Sequence, residues 1–163
     1  GQYAYLEEHI AQKKAIYERY KEGFKDLPVI MNPFDDEASE PNFWLSCMLI
    51  NPGTMCTQVR GDQKANFVSE PGKSCPTEIL EELDRFNVEG RPIWKPMHMQ
   101  PVFDNNVFIT RENNDNTKLK DGKPSDVGRD IFHRGVCLPS DIKMTSEQQS
   151  IVIEIIKGCF NHE

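Results

Sequence analysis

The chain has 163 residues, about one domain's worth, with 19 basic against 26 acidic side chains and a net charge of −7. That balance excludes a general affinity for nucleic acid, which needs a dense positive footprint, so any phosphate site has to be built locally. Cys47, Cys56, Cys75, Cys137 and Cys159 are odd in number and form no CxxC pair, which fits reduced thiols in a cytoplasmic protein and offers no readable metal site; no apolar run reaches the ~18 residues a membrane span needs.

Tyr3, Leu6, Ile10, Tyr17, Tyr20 and Phe24, with Ile16 widening the stripe, predict an amphipathic helix over residues 2–24. It starts almost at Gly1, as expected of a chain cut from something longer. Val29–Met31 reads as a short strand, followed by an acidic, turn-rich link from Asn32 to Asn42. Phe43–Ile50, apolar except at Ser46, predicts a central strand buried on both faces and stopped by Asn51-Pro52-Gly53. Residues 53–74 are polar, with Arg60-Gly61-Asp62 an exposed turn. Cys75-Pro76 opens a second helix whose apolar face is Ile79, Leu83 and Phe86 and whose first half carries Glu78, Glu81 and Glu82. It ends between Asn87 and Gly90.

After Arg91–Pro101, Val102-Phe103 extends that segment and Val107–Ile109 reads as a further short strand. The span 104–124 is expected to be a mobile surface loop. A short helix over Ser125–His133, capped by Ser or Asp, leads into a brief strand, Gly135–Ser140. Thr145 with Gln148 three residues on forms a capping box for a last helix lined by Val152, Ile155, Ile156, Cys159 and Phe160. This order predicts a single α+β domain over residues 1–163: a small sheet with a long N-terminal helix and a C-terminal helix on one face.

The segment Arg91–Pro101 sets Trp94, two cations, His98 and Gln100 among Pro92, Pro96 and Pro101. Proline fixes φ and keeps its predecessor out of the helical region, so the segment is expected to be extended or turning backbone. Lys95 supplies a point charge, His98 and Gln100 directional hydrogen bonds, and Trp94 a flat wall, a set suited to an anionic, ring-bearing ligand. The bland reading is an edge strand whose Trp and Met side chains belong to the core, with His98 a satisfied core histidine and Lys95 a solvated charge. No spacing of His9, His98 or His133 to a cysteine defines a base and nucleophile pair.

At Trp94-Lys95-Pro96-Met97-His98-Met99-Gln100-Pro101 the chain resembles the C-terminal domain of the DegT/DnrJ/EryC1/StrS family, the fold-type I, pyridoxal-phosphate-dependent aminotransferases acting on nucleotide-linked keto sugars. Gly1-Gln2-Tyr3, Leu6 and the stretch Ile10 to Tyr20 resemble the long helix that connects the family's large domain to its small one, so residues 1–24 would be that connector. Asn42-Phe43-Trp44-Leu45-Ser46 is similar to a family strand start. Phe132 to Ser140 with Met144-Thr145 resembles the closing segment, where the family more often has Gly near Asp141. The spans 53–74 and 104–124 match no family motif. The resemblance implies pyridoxal 5'-phosphate as cofactor of the full-length enzyme, glutamate as amino donor, a nucleotide-sugar acceptor and a homodimer. It also implies that the Schiff-base lysine lies upstream of Gly1, so no catalytic or cofactor-binding residue falls in this chain, which would be inactive by itself. Trp94, Lys95, His98 and Gln100 would bind the substrate, with Lys95 and His98 facing the diphosphate. The competing class is a non-enzymatic α+β binding or regulatory domain.

Overall fold

The computed structural model describes residues 2–35, 37–60, 65–103, 105–106 and 126–161. They form two compact units, Gly1–Pro92 with Arg134–Glu163, and Ile93–His133. The first unit opens with a 3-10 turn, Gln2–Tyr5, that runs into α1 (Leu6–Gly23), with Glu7 and Glu8 in the first turn and Lys21 in the last, each at the end its charge favours. Then come β1 (Val29–Met31), β2 (Cys47–Ile50), β3 (Thr57–Arg60), β4 (Ala65–Val68), α2 (Pro76–Arg85) and β5 (Arg91–Pro92). After α3 (Val127–Arg134), β6 (Gly135–Cys137) and α4 (Ser146–Gly158) complete the chain. The main sheet has the order β1-β2-β6-β5 with every neighbour antiparallel, and β3 and β4 form a separate hairpin. The architecture is α+β, with the long first helix and the last helix on one face of the sheet.

The core lies on that face. Met48, Ile50 and Val136 of the sheet, none of them exposed at all, meet Ile16, Tyr17, Tyr20 and Phe24, then Ile79 and Leu83 of α2, then Val152, Ile153 and Ile156 of α4. Each buried aliphatic or aromatic side chain of this kind stabilises the fold by about 1.5–3 kcal/mol. Polar ties fix how the helices dock. The fully buried Gln149 donates from Nε2 to the Ile16 carbonyl at 2.8 Å and accepts from Arg19 Nη1 at 2.7 Å, locking α4 against α1. The Tyr20 hydroxyl donates to the Pro139 carbonyl at 2.9 Å, and burial pushes its phenol well above the ordinary range.

Three expectations need correction in this unit. The strand predicted over Phe43–Ile50 is paired only from Cys47, because Phe43 adopts a φ of +52° and Asn42 Oδ1 accepts from the Trp44 N–H at 3.0 Å, a turn that leaves Trp44 66% exposed. β2 is central, yet its burial alternates: Met48 and Ile50 are buried while Cys47 and Leu49 are half-buried. The polar span 53–74 contains the β3–β4 hairpin, whose register pairs Thr57 with Val68 and Arg60 with Ala65. Phe86 is not on the buried face of α2; it is the C-cap residue and lies 61% exposed, where the chain turns away through Asn87 at φ +56°. Gly61 and Asp62 of the expected turn, the Val107–Ile109 strand, and the loop 104–124 apart from residues 105 and 106 fall outside the described residues.

Candidate substrate-binding site

The segment carrying Trp94, Lys95, His98 and Gln100 lies in the second unit. Its path follows from its prolines. Pro96, at φ −56° and ψ 148°, is the N-cap of a 3-10 turn, Met97–Met99, and Pro101 begins another, Pro101–Phe103. The Met99 N–H donates to the Pro96 carbonyl and the Gln100 N–H to that of Met97, both at 3.0 Å. The backbone expected to be extended or turning is strand at Arg91–Pro92 and is wound into short turns after Pro96, and Val102-Phe103 turns instead of extending a strand. Proline obstructs an α-helix interior but suits the entrance of such a turn, where its missing N–H costs nothing.

Trp94 is 64% exposed and Met97 59%, so neither side chain is core as the bland reading expects, whereas Met99 is half-buried and His98 is, as that reading expects, satisfied by a partner, though not in the core. Lys95 and Gln100 are half-buried, and the two are joined by a long contact of 3.4 Å from Gln100 Nε2 to the Lys95 carbonyl. The same amide lies 3.5 Å from Met97 Sδ. Among the described residues of the unit, His98 makes the shortest polar contact: its Nε2 is 2.5 Å from Oδ2 of Asp126, a carboxylate whose side chain is only 4% exposed. An ionised carboxylate only accepts, so in this contact the His98 Nε2–H donates to Asp126.

Asp126 is the residue that sequence reasoning did not place in the site. It appeared there only as an alternative cap for the short helix, and it is that cap: Oδ1 accepts from the Arg129 N–H at 2.9 Å. Its charge is met by His98, by the amino end of α3, and by Arg129 Nε, 3.7 Å from Oδ2. Gly128 gives the first turn of α3 room beside Pro96, since a Cβ at that position would lie 3.3 Å from Pro96 Cγ. One buried carboxylate thus ties the turn bearing His98 to the start of α3, 28 residues later. The signal available for this tie was an aspartate opening a helix directly after a long polar span.

Lysines elsewhere do not form a covalent seat for an aldehyde cofactor. None of the described lysines is buried; Lys13 donates to the Ser140 carbonyl, and Lys25, Lys73 and Lys157 pair with Glu22, Glu70 and Glu154. A Schiff-base lysine is made reactive near neutral pH by desolvation in a buried pocket or by a cationic neighbour, and no described lysine is buried. The described residues therefore do not fit pyridoxal phosphate as a covalently held group. Among them no cluster of three His, Cys, Asp or Glu could hold a metal ion, and no helix is long and apolar enough to cross a membrane.

The first unit is a small α+β fold with a long first helix, and the second carries a proline-ordered turn bearing a cation, an imidazole and an amide. The profile of the DegT/DnrJ/EryC1/StrS aminotransferase family matches residues 1–157, and the chain belongs to that family. Among individual relatives, EpsN of Bacillus subtilis (strain 168), described as a pyridoxal phosphate-dependent aminotransferase, is 29% identical over 156 residues, covering 96% of this chain and 32% of EpsN. Similar solved structures include Spr1654 of Streptococcus pneumoniae, described as a sugar aminotransferase, at 16% identity and a TM-score of 0.67, covering 97% of this chain and 32% of that one. A DegT DnrJ EryC1 StrS aminotransferase from Brucella abortus superposes at 15% identity and a TM-score of 0.63, over 98% of this chain and 33% of that one. At such identities the structures speak for the fold alone. The chain spans about a third of the length of these relatives.

Proposed function

We propose that this chain is the small-domain part of a pyridoxal-phosphate-dependent enzyme that transfers an amino group, with glutamate as donor, to a nucleotide-linked keto sugar. The observation that carries this reading is the family match over nearly the whole chain, in a sequence one third as long as its relatives. The cofactor supplies the carbanion chemistry of amino transfer; in this reading its lysine lies in a part of the protein outside this sequence, which accords with the absence of a buried lysine among the described residues. By itself the chain is then inactive and does not hold the cofactor covalently. Mixing the isolated chain with pyridoxal phosphate, followed by desalting, should leave no stoichiometric visible chromophore. A stable one-to-one lysine adduct would refute the reading.

What this chain contributes is the substrate's phosphate end. Lys95 provides the point charge, Gln100 a directional donor, and Trp94 an exposed ring for a flat group, while Asp126 holds the imidazole of His98 for the same ligand. In a chain of net −7 these donors must be local to attract a diphosphate at all. The reading includes a homodimer whose two sites each draw on both subunits. Exposed Tyr3, Tyr5 and Leu6 on the first turns of the chain are apolar surface compatible with burial against further protein. Light scattering of the full-length protein should report a dimer at micromolar concentration, and a monomer there would count against it.

A further inference from the structure

Cys47 and Cys137 face each other across β2 and β6. They are a registered antiparallel pair, and the Leu138 N–H donating to the Ser46 carbonyl at 2.9 Å places them at a position of the ladder without its own hydrogen bonds. Such positions bring Cα atoms to about 4.5 Å. That separation lies inside the range a disulfide spans. The two sulfurs are 3.3 Å apart with both thiols free. Neither residue belongs to the packed core cluster, because Met48 and Val136, their neighbours in sequence, take the core side of the sheet. Joining the sulfurs would therefore displace no core side chain.

We propose that Cys47 and Cys137 form a redox modification site that closes reversibly to a cross-strand disulfide when the protein meets a hydroperoxide. Cys137 is the nucleophile. The sulfur–sulfur contact with Cys47 and the guanidinium of Arg91, its register partner on β5, together hold its thiol below the ordinary range, although Cys137 is itself buried, which raises it; Arg91 also pairs with Glu89 at 2.6 Å. Cys47, only half-buried, gives a small oxidant its approach. The Cys137 sulfur attacks one peroxide oxygen, the O–O bond breaks and the departing hydroxide leaves as water, giving a sulfenic acid. The Cys47 sulfur then attacks the Cys137 sulfur, the S–O bond breaks, and a second water leaves with the Cys47 proton. Two electrons pass from the two sulfurs to the peroxide, and a dithiol reductant reverses the change.

The other close thiols are poorer candidates. Cys56 and Cys75 are buried as Cys137 is, but their burial raises both thiols, that of Cys56 up to about 12. Cys159 is buried and likewise pushed up to about 12. The test is peptide mapping of the full-length protein after hydrogen peroxide, with remaining thiols alkylated. The expected result is a linked pair of peptides bearing Cys47 and Cys137, about 2 Da lighter than their sum and separated by dithiothreitol. In Cys47→Ser, which lacks the resolving sulfur, Cys137 should instead be captured by dimedone as the sulfenic acid. Recovery of both peptides fully alkylated after peroxide, or Cys137 joined to a cysteine other than Cys47, would overturn the proposal.

Discussion

Asp126 is the single side chain on which the geometry of the candidate site depends most. A buried carboxylate is costly unless its charge is matched, and here one group serves His98, the Arg129 N–H and the amino end of α3 at once. Replacing it with alanine removes a helix cap and the anchor of an imidazole together. Asp126→Ala is therefore expected to destabilise the protein by about 1–2 kcal/mol, the scale of a lost N-cap, in urea unfolding. Asp126→Asn retains an acceptor for the α3 N–H and should cost less. Equal stability of wild type and Asp126→Ala would show that the contact carries no weight. His98 itself stood out in the sequence because it lies among prolines and polar groups. Its partner did not, since the two are 28 residues apart and most of the residues between them are polar, so no periodicity connects them.

At the scale of elements, the ends of helices were the most legible features because they rest on local chemistry. Thr145 and Gln148 make both bonds of a capping box, Gln148 N–H to Thr145 Oγ1 at 3.2 Å and Thr145 N–H to Gln148 Oε1 at 2.9 Å, and α4 begins at the next residue after Thr145. Thr145→Ala should lower stability by about 1 kcal/mol, read as a lower midpoint in thermal or urea unfolding, with Thr145→Ser close to wild type. An unchanged midpoint for the alanine variant would mean that α4 is held by packing alone. Strands were harder to bound. The apolar run Phe43–Ile50 reports burial, but pairing needs a partner, and β1 offers only Val29–Met31 before Asn32 uses its side chain to accept from the Cys47 N–H. The β3–β4 hairpin was hidden for the opposite reason: Thr57-Gln58-Val59-Arg60 has one strongly apolar residue, and Val59 is 64% exposed, so burial left no alternation to read. After Pro96 and Pro101, propensity ruled out an α-helix correctly yet did not distinguish extended chain from 3-10 turns, which proline tolerates at their entrance.

At the scale of the whole molecule, the described core residues all belong to the first unit, where α1, α2 and α4 bury one face of a four-stranded sheet. The chain covers about a third of the length of the relatives it matches, so only that share of their fold was there to be read. In the proposed function, the turn from Trp94 to Gln100 grips the phosphate end of a nucleotide sugar. That role is tested most directly by steady-state kinetics of the full-length enzyme carrying Lys95→Ala or His98→Ala, with the nucleotide sugar varied at saturating glutamate. A lost charge-assisted contact is expected to cost about 1–3 kcal/mol, so kcat/KM for the sugar should fall roughly 5- to 150-fold in each variant, with KM for glutamate little changed. Variants whose KM and kcat for the nucleotide sugar both equal those of the wild type would contradict the account.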